Sequence, residues 1–304
     1  MYTGGNSTGY RSHYQRGCVN QHQYMYTKLH TGLLCMGMAL MIVSGSLMAN
    51  SPNDGESVVN YSYAVVFGTG AYQVNDQKAF IFRVPFTHRV REASPERHGI
   101  QLLLPTLAGF YDYDYDRIAR ANTPGDAATL SFVPGMEFEY LINERWRLKP
   151  YGQIGMGRDL KNNENALIYV AGVNSRYSIP SPGKTEFALG NMLAITGFDP
   201  DDGNSQSMGI LGAGIDMVYP WGVHVLGKAT GLATHLIYYL YLDNPGFEQG
   251  DNRTETVRGE FEWGLALDFR KPRKLVGMEL DRIGLGFRYG DNIKGIRLVT
   301  RFPF

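Results

Sequence analysis

Apolar and polar residues alternate one by one along most of the chain. In the clearest stretch, Ile283, Leu285 and Phe287 alternate with glycines. Successive side chains of a β-strand point to opposite faces, so this period of two predicts strands with one apolar face and one small or polar face. No convincing helical period interrupts the pattern. We therefore predict an all-β chain.

The alternation divides into about twelve candidate strands, most of which reach the roughly 9–11 residues that a tilted strand needs to cross a bilayer. In chain order they are Val59–Phe67, Phe80–Thr87, His98–Phe110, Leu130–Tyr140, Trp146–Met156, Ala166–Tyr177, Lys184–Ile195, Ser207–Val218, Gly222–Leu242, Arg258–Phe269, Ile283–Tyr289 and Ile296–Phe304. Midway through Gly222–Leu242 the apolar residues change from one set of alternate positions to the other. This slip in the outward parity predicts a bulge there.

The connections between these strands differ in length and charge from one side of the predicted sheet to the other. Short turns are predicted at Asn143-Glu144, Tyr219–Gly222 and Lys271–Lys274. Longer, acidic connections are predicted at Tyr111–Ala127, Gly197–Gln206 and Asp243–Asn252. Outer-membrane barrels have short periplasmic turns and longer extracellular loops, whereas a soluble sandwich has no reason to sort its connections in this way. We predict a single transmembrane antiparallel up-and-down β-barrel with both termini periplasmic.

Composition agrees with a barrel and narrows the classes of function. The chain has 29 basic and 29 acidic residues, so it offers no electrostatic footprint for nucleic acid. Its mean hydropathy of -0.25 is too low for a helical membrane protein. A barrel needs apolar residues at only every second strand position, because the alternate residues face the lumen.

The amino-terminal region has the pattern of a secretory signal. Lys28 precedes a short apolar run over Leu33–Val43, and small residues follow up to Ala49. The run is shorter than the about 20 apolar residues that a membrane-spanning helix needs. We predict cleavage after Ala49.

This signal sets the predicted domain organisation. Residues 1–24 are a possible over-extended start, residues 25–49 the signal peptide, residues 50–57 a short periplasmic tail and residues 58–304 the outer-membrane barrel. Both cysteines, Cys18 and Cys35, precede the predicted cut.

The last hairpin, DRIGLGFRYGDNIKGIRLVTRFPF, resembles the carboxyl-terminal strands of bacterial outer-membrane barrels. Those strands end in phenylalanine with apolar residues at alternate positions before it, and Ile296, Leu298, Phe302 and Phe304 follow that pattern here. The resemblance implies that all four side chains face lipid.

The strand count, the predicted mature length and the hairpin Glu137–Gly157 resemble the translocator barrel of autotransporters. The resemblance covers Val58 to Phe304. It implies a location in the cell outer membrane, contact with outer-membrane lipid and lipopolysaccharide, and recognition of the Phe304 strand by the barrel assembly machinery. The family's barrels follow a secreted passenger. Only Asn50–Ser57 precedes the first predicted strand, so we expect a solitary barrel without a passenger.

Charged side chains are predicted to line the lumen, because Arg or Lys facing lipid at mid-depth costs about 2–4 kcal/mol. The candidates for pore lining on the faces assigned inward are Arg83, Glu137, Glu139, Arg147, Lys149, Arg258, Glu260, Glu262, Arg288, Arg297 and Arg301. Two interpretations stay open. The mixed charges line a narrow water-filled pore, or they neutralise one another in a plugged lumen.

Two further expectations concern neighbouring strands. Glu139 should form an ion pair with Arg147 or Lys149, and the Arg297/Arg301 row should approach Asn60 and Ser62, because the first and last strands must meet. Aromatic residues near strand ends are expected to form interfacial girdles. These are Tyr140, Trp146, Trp221, Tyr238, Tyr241, Tyr289 and Phe302.

The leading functional hypothesis is a passive narrow pore or structural barrel, without catalytic residues or a cofactor. The alternative is a surface interaction protein, because Asp112, Asp114 and Asp116 place three carboxylates on one side of an extended loop. Such a loop could bind a hard cation such as calcium, and through it lipopolysaccharide or a partner.

An outer-membrane hydrolase is the third hypothesis. The histidines after the predicted cut are His88, His98, His224 and His235, and the chain has no His-x-Ser or Gly-x-Ser-x-Gly motif. Nucleophilic catalysis needs a histidine within hydrogen-bond reach of the nucleophile. We therefore expect the protein not to be an enzyme.

Overall fold

The structure is a computed structural model. It describes residues 67–74, 77–111, 127–160, 163–201, 205–225, 228–242, 246–249, 253–256, 258–275 and 278–304. The predicted signal peptide, the residues before it and the predicted periplasmic tail lie outside these residues, so their assignments stay predictions.

The described residues form sixteen strands. The first eight are β1 (Gly70–Val74), β2 (Gln77–Arg91), β3 (Gly99–Tyr111), β4 (Ala127–Phe132), β5 (Gly135–Leu141), β6 (Trp146–Asp159), β7 (Asn165–Ile179) and β8 (Glu186–Pro200). The others are β9 (Gln206–Tyr219), β10 (His224–Val225), β11 (Lys228–Leu242), β12 (Gly246–Gln249), β13 (Arg253–Thr256), β14 (Gly259–Leu275), β15 (Met278–Gly290) and β16 (Ile293–Val299). Within the described ranges, no helix is long and apolar enough to cross a membrane.

The large sheet is antiparallel throughout and closes on itself. Its path runs from β1 to β9 and then through β11, β14 and β15 to β16, which pairs with β1 so that Arg297 lies opposite Gly70. β4 and β5 are two parts of one crossing and β10 is an appendage of β11, so the 14 strands of this sheet make 12 crossings. The prediction of a twelve-stranded antiparallel barrel is confirmed. β12 and β13 form a separate hairpin.

The two ends of the barrel can be told apart by their connections. The turn end carries the connections after β2, β5, β7, β9 and β14, and the loop end carries those after β3, β8 and β11. The long predicted connections all lie at the loop end, and the short turns predicted at Asn143-Glu144 and Tyr219–Gly222 lie at the turn end. Which end faces the periplasm stays a prediction.

The crossing formed by β4 and β5 is interrupted at Val133 and Pro134. The Val133 N–H donates to the Pro105 carbonyl at 3.3 Å, and the Ile154 N–H donates to the Pro134 carbonyl at 3.0 Å. These bonds keep the backbone groups satisfied across the break. The side chain of Val133 is fully buried.

The single long strand predicted over Gly222–Leu242 is two elements. β10 folds back on the start of β11, with Val225 opposite Lys228. β11 then pairs without interruption to β9 from Leu232 to Leu242. The slip in parity therefore reflects the division into β10 and β11, and the predicted bulge is wrong because the pairing of β11 shows no register shift.

β14 is longer than predicted, and the turn predicted at Lys271–Lys274 is wrong. The strand continues to Leu275, and its pairing with β15 is irregular between Asp268 and Arg273. Pro272 falls in this irregular stretch, where a missing N–H donor is tolerated. The turn itself lies between β14 and β15, after Leu275.

The strand that pairs with β16 also differs from the prediction. β1 makes this contact, whereas the sequence pattern favours Val59–Phe67. Of that stretch only Phe67 lies within the described residues, and its side chain is buried in the lumen. Asn60 and Ser62 lie outside the described residues, so the expectation that the Arg297/Arg301 row approaches them stays a prediction.

The outer surface of the barrel is apolar. Exposed apolar side chains on this surface include Phe82, Leu130, Phe132, Met136, Ile154, Met156, Leu189, Leu193, Leu211, Ile215, Leu236, Phe261, Trp263, Leu265, Ile283, Leu285, Phe287, Ile296 and Leu298. Trp146, Trp221, Tyr238 and Tyr289 are exposed, as expected for interfacial girdles. Tyr241 and Phe302 are buried instead, so their assignment to the girdles is wrong.

If the apolar outer surface faces lipid, the cost of a charged substitution on it should depend on the depth of the residue in the bilayer. Leu265 lies midway along β14 opposite Leu285, whereas Tyr289 lies near the loop end of β15. Leu265→Arg should lower the free energy of unfolding in a bilayer by about 2–4 kcal/mol, and Tyr289→Arg by about 0–1 kcal/mol. Urea unfolding in phospholipid vesicles, followed by tryptophan fluorescence, measures both. Equal costs at the two positions would contradict the assignment of this surface to lipid.

Candidate functional site

Side chains fill the half of the lumen that lies nearer the loop end. The buried apolar residues there come from strands all around the barrel and form one cluster. They include Tyr72, Ile81, Leu107, Ile168, Phe198, Met208, Ile210, Ile237, Tyr239, Tyr241 and Ile293.

A group of buried charges lies within this packed half, and we name it the central ion cluster: His235, Glu260, Glu262, Arg288 and Arg297. Glu262 Oε1 is 2.8 Å from Arg297 Nη2 and 2.9 Å from His235 Nε2. Arg288 lies 3.1 Å from Glu260 and 3.2 Å from Glu262. Both glutamate side chains are 0% exposed. The two carboxylates are thus matched by two guanidinium groups.

Aromatic side chains enclose the central ion cluster. The Arg288 guanidinium lies 4.6 Å from the centre of the Tyr239 ring and 5.0 Å from that of Phe67. The Tyr241 hydroxyl donates a hydrogen bond to Glu260. Contacts between a cation and a ring are strongest where water is excluded. These rings therefore partly replace the hydration that Arg288 has lost.

Strand register explains why these charges meet. Glu260 and Glu262 share the inward face of β14, and Arg288 on β15 lies directly opposite Glu262. His235 on β11 lies opposite Gly264, where a Cβ would overlap the imidazole ring. The glycine leaves the space in which the histidine reaches Glu262.

A second ion network joins strands that are not neighbours. Arg282 on β15 donates two hydrogen bonds to Asp216 on β9, at 2.6 and 2.8 Å. Arg176 on β7 lies 3.5 Å from the same carboxylate, and Asp268 on β14 lies 3.8 Å from Arg282. Through Asp216 these contacts connect β7, β9 and β15, and β9 and β15 are three strands apart in the barrel order.

The half of the lumen nearer the turn end holds a cavity of about 1020 Å³. Nine basic and seven acidic side chains line it, so neither sign of charge dominates. Glu139 lies 3.5 Å from Arg147, which is one of the two ion pairs expected, and also 3.5 Å from Arg89. Arg89 in turn lies 3.2 Å from Glu279 on β15.

The structure separates the predicted lumen residues into three groups. Those that line the cavity at the turn end are Arg83, Glu137, Glu139, Arg147, Lys149, Arg297 and Arg301. Glu260, Glu262 and Arg288 belong to the central ion cluster, with which Arg297 also pairs. Arg258 is exposed at the loop end. A role of any of these residues in conduction stays a prediction.

Sequence reasoning missed several members of these networks. His235, Tyr239 and Tyr241 are all buried on the inward face of β11. Their shared odd parity was a usable signal, but the slip assumed within Gly222–Leu242 concealed it. Arg176 and Arg282 were missed as well.

The histidines and acidic groups do not combine into a metal site in the part of the chain that the structure describes. His98 stacks on Tyr140 with ring centres 5.4 Å apart, and burial, followed by the charges of Arg91 and Arg97, lowers the pKa of its imidazole. Asp112, Asp114 and Asp116 lie outside the described residues, so cation binding by that loop stays a prediction.

Comparison with solved structures gives a result that concerns the fold alone. The chain is similar to an autotransporter β domain. A crystal structure of the β domain of the Bordetella autotransporter BrkA matches with a TM-score of 0.48 and 12% sequence identity, over 76% of this chain and 95% of that one. No family model and no curated protein matches the chain. The evidence for the barrel is its own strand pairing.

The central ion cluster predicts that neutralising a buried carboxylate lowers the free energy of unfolding far more than neutralising an exposed one. Glu262→Gln leaves two guanidinium groups buried with one carboxylate, and should lower the free energy of unfolding by about 3–5 kcal/mol. Glu186, whose side chain is 58% exposed and pairs with Arg270, is the matched control. Glu186→Gln should cost less than about 1 kcal/mol. Urea unfolding in vesicles measures both, and a small loss for Glu262→Gln would argue against a sealed cluster.

Proposed function

We propose that this protein is an integral outer-membrane β-barrel that acts as a structural barrel, or as a narrow pore that is shut at rest. The observation that carries the proposal is the central ion cluster, because its glutamates have no exposure to solvent. A water-filled channel through the same section would hydrate them.

The membrane part of the proposal is supported by the two faces of the wall. Strands such as β14 and β15 present exposed Trp263, Leu265 and Phe287 outside and buried charges inside. Closed antiparallel barrels of this kind can span a bilayer, because neighbouring strands supply backbone hydrogen-bond partners to one another within the wall. An outer-membrane location follows from that architecture as part of the proposal.

The occlusion is supported by the energetics of buried charge. Removing a carboxylate or a guanidinium from water costs several kcal/mol, on the order of the stability of a whole domain, unless it is paired and hydrogen-bonded. Glu260, Glu262, Arg288 and Arg297 form ion pairs with one another at 2.8–3.2 Å. Breaking these contacts to open a passage would need compensating hydration of all four groups.

The proposal includes no catalytic step. His235, the most deeply buried histidine of the lumen, is 2.9 Å from Glu262, and its ring centre lies 6.0 Å from that of Phe302. These contacts account for its position as a partner of the central ion cluster.

Conductance in a planar bilayer tests the proposal. The purified chain is expected to fold and to stay silent, because packed side chains fill one half of the lumen. Phe198→Ala combined with Met208→Ala removes two fully buried side chains from that packing and should produce discrete conductance steps.

The matched control is Leu193→Ala with Leu211→Ala. These residues face each other on the same two strands, β8 and β9, but both are exposed on the outer surface. The control variant should stay silent. Steady ohmic steps from the unaltered protein would overturn the proposal of a lumen that is closed at rest.

A further inference from the structure

The residues after β16 turn into the lumen instead of continuing the wall. Phe302 and Phe304 are each 3% exposed, although alternation with Ile296 and Leu298 places them on the lipid face of an extended strand. The expectation that they face lipid is therefore wrong for this structure. We name residues Thr300 to Phe304 the 300–304 segment.

The 300–304 segment occupies a shaped site inside the barrel. The Phe304 ring packs on Gly190 of β8, where a Cβ would overlap it, and a Cβ at Gly212 of β9 would lie 3.2 Å from the same ring. Two glycines on neighbouring strands thus form a recess for one aromatic side chain. We name this recess the lumen site.

Phe302 completes the contacts of the segment. Its ring centre lies 5.4 Å from the Arg176 guanidinium, and 5.0 Å from the Phe304 ring centre. Arg301 donates a hydrogen bond to the Glu279 carbonyl at 3.2 Å. The segment therefore lies between the cavity at the turn end and the His235 side of the central ion cluster.

A second place for the same segment lies in the wall. β16 ends at Val299, opposite Gly284, while β15 starts six residues earlier at Met278. Beyond Val299 the Thr300 carbonyl accepts hydrogen bonds from the N–H groups of Asp281 and Arg282, each at 3.1 Å. Among the described residues, no strand pairs with the rest of this edge of β15.

Among the described residues no strand pairs with the facing edge of β2 in the same region, although the Thr69 hydroxyl accepts a hydrogen bond from the Arg83 N–H at 2.9 Å and donates one to the Arg83 carbonyl at 2.7 Å. Its last pairing with β1 joins Ile81 to Gly70, yet β2 continues to Arg91. The ion pair between Arg89 and Glu279, at 3.2 Å, spans the two open edges. Open strand edges are unfavourable next to lipid, because their N–H and C=O groups lack partners.

The register of β15 and β16 would accept the 300–304 segment as a strand. Since Val299 lies opposite Gly284, each further residue steps one position back along β15, which brings Phe302 opposite Asp281. Phe302 and Phe304 would then share the outward face with Ile296 and Leu298. The same alternation thus suits lipid outside and the aromatic recess inside.

We propose that the 300–304 segment exchanges between the lumen site and an extension of β16 along β15. In the first position it plugs the lumen between the cavity and the central ion cluster. In the second it lengthens the wall and leaves the recess of Gly190 and Gly212 empty. Arg301 would lie opposite Arg282 in the extended strand, and this repulsion favours the lumen site.

Disulfide trapping tests the exchange in the full chain, with Cys18 and Cys35, its two cysteines, replaced by serine. Gly190→Cys with Phe304→Cys reports the lumen site. A Cβ at Gly190 is 2.6 Å from Phe304 Cγ, so the two Cβ atoms lie about 4 Å apart or less, within reach of a disulfide. Phe302→Cys with Asp281→Cys reports the extended strand, in which the two residues are directly opposite.

The matched control is Phe302→Cys with Leu285→Cys, because Leu285 is exposed on the outer surface of the same strand but lies opposite Leu298, four positions from Asp281. Circular dichroism confirms that each variant folds. The expected result is cross-linking in both reporting pairs, with more product for the lumen site, and none in the control.

Product from the lumen pair alone would overturn the exchange and leave a fixed plug. Product from the strand pair alone would overturn the lumen site, and product from neither pair in a folded barrel would overturn both positions. The plugging role rests on the proposed closed lumen. The cross-links do not depend on conduction, so failure of either proposal can be recognised separately.

Discussion

A polypeptide in lipid has no water with which to satisfy its backbone, and this constraint organises the whole molecule. Each crossing shares its hydrogen bonds with two neighbours, so the last strand must find the first. Here that closure depends on a short contact, in which β1 contributes only Gly70–Val74 to its pairing with β16. The wall is therefore fully hydrogen-bonded near the loop end and incomplete between β15 and β2 near the turn end.

Closure of the sheet places side chains either on the outer surface or in the lumen, and the lumen is small. With twelve strands the lumen is narrow enough for side chains of non-adjacent strands to meet inside it, as Arg282 on β15 and Asp216 on β9 do. Buried ion pairs contribute little net stability compared with apolar packing, but they can specify register. A slip of one residue between β14 and β15 would turn Glu260 and Glu262 towards lipid. The central ion cluster thus makes the correct pairing much more favourable than its nearest alternatives.

Much of this fold was accessible from the sequence, because alternation is a local property. It identified the strands from β2 onward in outline, and it assigned Glu260, Glu262 and Arg288 to the inner face. The closing strand was missed because pairing between chain segments more than two hundred residues apart leaves no local trace. Val59–Phe67 alternates more clearly than Gly70–Val74, and only pairing distinguishes them.

The prediction also failed for the side of the wall on which some aromatic residues lie, and the reason is physical. Lipid and a packed lumen are both apolar, so Tyr241, Phe302 and Phe304 satisfy the same pattern in either place. Alternation assigns a side chain to one face only while the backbone stays in one strand. The strand ends at Val299, and β10 is separate from β11, so the assignment fails at both places. The side on which a charged residue lies is easier to predict, because lipid excludes charged side chains.

The two halves of the lumen differ in what an opening would require. Movement of the 300–304 segment alone would join its recess to the cavity at the turn end. It would leave Glu262 paired with His235 and Arg297, and the aromatic packing around Arg288 intact. While the surrounding packing is intact, a continuous pore needs both the segment and the central ion cluster to rearrange, and the second step separates buried charges from their ion-pair partners. The structural role is therefore favoured over conduction, with the ion cluster rather than the segment as the main barrier.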